Sequence, residues 1–171
     1  MVFERIFVTV GTTKFDELIQ SLNNQEAYEN LIQFGCQKLT LQIGMTDFVP
    51  SFLLEKQDEG EILIDIYSLK PSIKEDMEDA TFVISHGGAG SILEALGMEK
   101  PTIVVVNDRL MDNHQMELAS SLASNNHVFT STPSNLLEAM TSLSVDQLVP
   151  FPNPDITFFP SIIDEIINFE N

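Results

Sequence analysis

The stretch VISHGGAGSILEAL, Val83 to Leu96, sets an apolar run of strand length against a histidine and three glycines, Gly87, Gly88 and Gly90, and then against apolar residues at helical spacing. A strand that enters a helix through a glycine-rich turn is the repeating unit of sheets wound with helices on both faces. The rest of the chain repeats that alternation. Strands are expected at Arg5 to Val10, Lys38 to Ile43, Glu61 to Tyr67, Thr81 to Ser85, Pro101 to Val106 and His127 to Thr130. Helices are expected at Phe15 to Leu22, Gln25 to Phe34, Ser72 to Glu78, Gly90 to Gly97, Asp112 to Ser124 and Pro133 to Ser142. TFVIS and TIVVV are apolar almost throughout, as strands are when helices cover both faces of a parallel sheet.

The class is therefore α/β, with a Rossmann-like doubly wound parallel sheet. The periodic part covers residues 1–143. Beyond it, SVDQLVPFPNPDIT places Pro150, Pro152 and Pro154 in a segment read as a Pro-rich connector, 144–157. FFPSIIDEIINF then reads as a C-terminal amphipathic helix, 158–171, with Pro160 in its first turn and Ile162, Ile163, Ile166, Ile167 and Phe169 in its apolar stripe. Such a helix either folds back on the sheet or docks a second subunit through Phe158 and Phe159.

Composition narrows the partners. With 8 basic against 26 acidic residues the formal charge is −18, which argues against nucleic acid or an anionic membrane surface, since both require phosphate neutralisation by Lys and Arg. A small anion remains possible, because backbone N–H groups and helix ends bind one without a basic surface. The single cysteine, Cys36, offers no intrachain disulfide, and Met1 opens onto a strand with no signal-peptide pattern. No apolar run approaches the ~18 residues that span a bilayer.

In open parallel sheets ligands sit beyond the carboxyl ends of the strands, where the strand order reverses. For an order 3-2-1-4-5-6 that crevice lies between the first and fourth strands, and both lead into glycine. The first gives VGTTKFDEL, with Gly11, Thr12 and Thr13; the fourth gives His86, Gly87, Gly88, Gly90 and Ser91. Glycines admit a close approach of backbone to ligand, and the free N–H groups of the following helix favour a diphosphate. One such loop is an ordinary tight turn. Two at the switch point indicate a binding cleft. Glu94 lies one turn inside the helix, where a carboxylate accepts from both hydroxyls of a ribose, though an acid there also suits the helix dipole. His86 either donates to a phosphate oxygen or caps the turn. After the fifth strand, Asn113, His114 and Gln115 offer sugar-type donors and acceptors at what is also a normal helix start. Lys14, Lys70 and Arg109 follow strands on the same edge.

Other chemistries fit less well. The nicotinamide fingerprint G-x-G-x-x-G is missing after the first strand, and the second strand ends in Ile43-Gly44 instead of an acid. There is no metal-ligand spacing and no G-x-S-x-G nucleophile elbow.

Four blocks, IFVTVGTTKFDELI, LQIG, YSLKPSIKEDMEDATFVISHGGAGSILEAL and KPTIVVVNDRLMDNHQMELA, occur in order from about Val2 to about Phe129. Together they resemble the donor-binding subunits of the eukaryotic UDP-N-acetylglucosamine transferase of dolichol-linked oligosaccharide synthesis. The resemblance implies the C-terminal, nucleotide-sugar-binding half of a GT-B glycosyltransferase, completed by a membrane-anchored acceptor-binding subunit. It implies inverting transfer of N-acetylglucosamine from UDP-N-acetylglucosamine to N-acetylglucosaminyl-diphosphodolichol, a lipid-diphosphate-linked acceptor, at the cytosolic face of the endoplasmic reticulum, with no cofactor and no metal. By motif position, Gly87, Gly88, Gly90 and Ser91 hold the diphosphate with His86 beside it, and Glu94 holds the ribose. Asn113, His114 and Gln115 meet the sugar, and Gly11 to Thr13 line the cleft. The general base belongs to the partner subunit. Bacterial split exopolysaccharide transferases share the opening and the glycine loop but carry a basic stretch and a glutamate-histidine pair ahead of D-H-Q, where this chain has NDRLMDNHQ. A nucleotide-sugar-sensing or scaffold module is the non-catalytic alternative.

Overall fold

The computed structural model describes residues 3–106 and 113–152. The strands are β1 (Arg5–Thr9), β2 (Lys38–Gln42), β3 (Leu63–Tyr67), β4 (Phe82–Ser85), β5 (Thr102–Val105) and β6 (Phe129–Ser131). Between them lie α1 (Asp16–Leu22), α2 (Gln25–Gln33), α3 (Ser51–Gln57), α4 (Lys74–Asp79), α5 (Ala89–Gly97), α6 (Asn113–Ser124) and, after β6, α7 (Leu136–Ser142). All pairings are parallel and the order is β3-β2-β1-β4-β5-β6. The reversal therefore falls between β1 and β4, as the two glycine loops require.

The apolar strands alternate strictly between two cores. Ile6 and Val8 of β1, Phe82 and Ile84 of β4, and Ile103 and Val105 of β5 face the core that Leu18, Leu22, Leu31 and Leu136 of α1, α2 and α7 complete. Phe7 and Val83 point the other way, onto Met77 of α4 and Ala95 of α5. Val104 meets Ile92, Ala119 and Leu122 of α5 and α6. Both faces are dry, so the period-2 signal of a half-exposed strand is missing from the sequence.

Local chemistry fixes the ends. Asn24 caps α2 by accepting from the Ala27 N–H at 2.9 Å. Cys36 is buried, donates to the Lys38 carbonyl at 3.3 Å, and burial pushes its thiol up to about 12. Two departures from the sequence reading stand out. Helix α3 was not expected; it is seven residues long and buries only Leu53, so its apolar stripe is a single residue wide. The helix expected at Pro133 to Ser142 begins as a 3-10 turn, Pro133–Asn135, before α7.

The start of the expected connector is tied to the domain. Val145–Gln147 forms a 3-10 turn, and the N–H of Val149 donates to Asn126 at 2.8 Å. His127 Nδ1 donates to the Val149 carbonyl at 2.9 Å, with its ring edge-on to Phe151. The C-terminal helix expected at 158–171 lies outside the described residues, as does Arg109. Among the described residues no helix is long and apolar enough to cross a membrane.

Candidate functional site

An open cleft of about 500 Å3 lies over the carboxyl ends of β2, β1 and β4. The two glycine loops meet there: Gly11 and Thr12 from the first, and His86, Gly88, Gly90, Ser91 and Glu94 from the second. Gly87 turns the chain below them at φ +89°, in the left-handed region that favours glycine. Thr13 is not part of the lining; its hydroxyl donates to the Val10 carbonyl at 2.8 Å and its carbonyl accepts from Met45. Asn113, His114 and Gln115 open α6 after β5, on the same edge of the sheet, and their side chains lie outside the described part of the structure.

His86 holds the loops together. Its ring fills the space that a side chain at either neighbour would need: a Cβ at Gly88 would sit 2.6 Å from the ring, and one at Gly11, itself at φ +59°, 2.8 Å away. The ring is nearly buried and Nδ1 lies 3.3 Å from the Thr9 carbonyl. A carbonyl only accepts, so Nδ1 carries the proton and the neutral ring leaves Nε2 as a bare acceptor at the cleft. Burial holds the imidazole below its ordinary value, partly opposed by the Thr9 hydrogen bond.

The N-terminus of helix α5 opens on the cleft. Gly88 is its N-cap and offers no side-chain acceptor, so the N–H groups of Ala89, Gly90 and Ser91 have no intrahelical partners, and Gly88, Gly90 and Ser91 line the cleft. Ile92 and Ala95 anchor the helix on the sheet, which leaves Ser91 and Glu94 half-exposed on the cleft side.

The opposite wall, Lys70 to Ile73, follows β3. Lys70 is placed by its neighbours: Nζ lies 3.1 Å from both Asp76 oxygens and 3.9 Å from the centre of the Tyr67 ring. Tyr67 in turn donates to Asp76 at 2.6 Å, and burial, reinforced by Asp76, drives its phenol far above the usual range. Lys14 is directed elsewhere, to Asp47 at 2.9 Å.

Gln42, which the sequence reading passed over, lies on the cleft floor. The sequence did carry a signal: a glutamine at the end of a strand, two residues before glycine. Gly44 explains the neighbouring turn, at φ +64° with room for no Cβ, because the Thr13 carbonyl would lie 2.2 Å from it. Among the described residues no cluster of three or more His, Cys, Asp or Glu could hold a metal ion.

A doubly wound sheet with paired glycine loops at its switch point, and a carboxylate one turn into the helix, has the form of a nucleotide-binding domain. Comparison agrees. Residues 5–166 match the glycosyltransferase family 28 C-terminal domain. The UDP-N-acetylglucosamine transferase subunit ALG13 of Yarrowia lipolytica is 31% identical over 167 residues, covering 96% of this chain and 84% of that protein. The human protein of the same name is 44% identical over 127 residues, covering 74% of this chain but only 11% of that protein. The NMR solution structure of ALG13 superposes with a TM-score of 0.66 at 26% identity, over 92% of this chain and 95% of that one. The chain belongs to the glycosyltransferase family 28 C-terminal domain family and, within it, to the ALG13 group of UDP-N-acetylglucosamine transferase subunits.

Proposed function

We propose that this chain is the donor-binding subunit of a two-chain inverting transferase that moves N-acetylglucosamine from UDP-N-acetylglucosamine to N-acetylglucosaminyl-diphosphodolichol. The observation that carries the reading is the convergence of seven residues from two distant loops, Gly11 and Thr12 with His86, Gly88, Gly90, Ser91 and Glu94, on one cleft at the switch point. The N–H groups of α5 take the diphosphate, Glu94 the ribose hydroxyls, and Asn113, His114 and Gln115 the sugar. No metal enters this scheme, because helix N–H groups and a protonated His86 oppose the charge of the departing UDP. The acceptor, its lipid and the general base belong to a membrane-anchored partner, which places the complex at the cytosolic face of the endoplasmic reticulum.

The test is a titration of the chain with UDP-N-acetylglucosamine, UDP-glucose and NAD, followed by backbone amide shifts that register even ~1 mM binding. Shifts confined to 87–91 and the start of α6, largest with the first ligand, are expected. Equal responses to all three, or none in the partner-bound complex either, would remove the donor assignment.

A further inference from the structure

Gln42 ends β2 directly beneath the cleft and is only 3% exposed. Its amide is already oriented. Thr9 Oγ1 accepts the Gly11 N–H at 3.0 Å and lies 2.5 Å from Gln42 Oε1, so the hydroxyl proton is donated to the glutamine oxygen. The reversed amide would leave that buried hydroxyl proton without a partner. The orientation that satisfies Thr9 therefore presents the Gln42 NH2, and among the described residues neither of its protons has an acceptor. A nearly buried amide with unused donors on a cleft floor is a group waiting for a ligand oxygen.

The topology says which part of the ligand arrives there. Across the carboxyl edge the order runs from the Lys70–Ile73 wall after β3, through Gln42 and Gly11, to the glycine loop after β4 and then the start of α6 after β5. With the diphosphate on α5 and the sugar toward α6, the nucleoside extends the other way, across β1 toward β2, about 10 Å from β4 at ordinary strand spacing. Pro71 and Ile73 give that end an apolar wall suited to a flat ring.

We propose that Gln42 is a specificity-determining residue whose NH2, aimed by Thr9, donates to a carbonyl oxygen of the pyrimidine base. This rests on the donor-site reading above. Uracil carries a carbonyl oxygen on each side of its N3–H, and the NH2 donates to one of them.

The experiment is a parallel titration of the full chain and of Gln42→Met, Gln42→Glu and Thr9→Val with UDP and with inorganic pyrophosphate, followed by amide shifts. Gln42→Met keeps the volume and removes both donors. It is expected to weaken UDP about tenfold, the worth of one or two good hydrogen bonds, and to leave pyrophosphate unchanged. Gln42→Glu is expected to weaken UDP further. Thr9→Val releases the amide and is expected to act in the same direction by less. Retention of UDP affinity in Gln42→Met, or an equal loss for pyrophosphate, would overturn the role. If neither the unaltered chain nor its partner-bound complex binds either ligand, the donor-site reading falls and this inference falls with it.

Discussion

At the scale of single residues the site turns on a histidine with one nitrogen committed and the other free to take up a proton. Nδ1 of His86 is committed to Thr9, and Nε2 faces the cleft between Gly11 and Gly88. Thr9, Gly11 and Gly88 bring no charge to it; the ionisable groups of the same cleft are Glu94 on α5 and Lys70 on the far wall, the latter engaged by Asp76. In the free protein burial keeps the ring neutral at pH values where an exposed histidine, at 6.5, is half charged. A diphosphate beside Nε2 reverses that preference, because only the protonated nitrogen can donate to it. On the proposed donor reading, binding of UDP-N-acetylglucosamine is therefore expected to take up a proton at His86, and its affinity to fall as pH rises through the bound-state pKa. Calorimetry in buffers of different ionisation enthalpy measures the uptake, up to one proton near neutrality, and His86→Asn is expected to show none; the sugar nucleotide's own phosphates do not titrate there. For folding the sign is opposite. The unfolded chain binds the proton more readily, so stability contributed by the neutral ring is present above about pH 6.5 and declines below it. Gly88→Ala belongs to the same scale. Its φ of −66° is ordinary, so the cost is the contact with the His86 ring. Donor affinity is expected to drop at least tenfold while denaturant stability changes by only about 1–2 kcal/mol, as small overpacking does.

At the scale of elements, the sequence was legible where an element is long or its turn is chemically demanding. Order and type of all six strands, and the switch point they create, follow from apolar runs and glycines. What escaped was short or depends on contact across the fold. Helix α3 has too few buried positions to announce itself, and Gln42 acquires meaning only when β1 lays Thr9 beside it in register. Gly44 was visible as a strand end, but not as the place where the β2 turn packs on the backbone of the β1 loop. Gly44→Ala is therefore expected to cost more than the ~1 kcal/mol of left-handed strain. With a backbone oxygen in the way, a loss of about 3 kcal/mol in chemical denaturation is expected, together with altered amide shifts in Gly11 to Thr13. A variant as stable as the parent would show that the two loops are not packed as described. Asp76→Ala tests the opposite wall: it removes the Tyr67 and Lys70 contacts together, and about 1–3 kcal/mol of stability is expected to go with them.

At the scale of the whole molecule, the described residues give the cleft one side. Its floor and walls come from a single wound sheet, and the proposed roles all concern the donor: α5 for the diphosphate, Glu94 for the ribose, Gln42 for the base. The family to which the chain belongs is named for a C-terminal domain, and a nucleotide-sugar held in such a half lies open to water until an acceptor-bearing half closes over it. An acidic chain with a formal charge of −18 has little to attract it to an anionic bilayer by itself. Both considerations support the proposal that activity belongs to a complex, and the prediction is correspondingly a cellular one. In Saccharomyces cerevisiae lacking its ALG13, a relative 29% identical over 95% of both chains, expression of this chain is expected to restore transfer to the lipid-linked acceptor in isolated membranes. The purified chain without membranes is expected to show none. Glu94→Ala and Gln115→Ala should each fail to restore it although the proteins accumulate normally. Full transfer by the purified chain alone would mean that the acceptor side is already present, and wild-type restoration by both variants would move the donor to a different cleft.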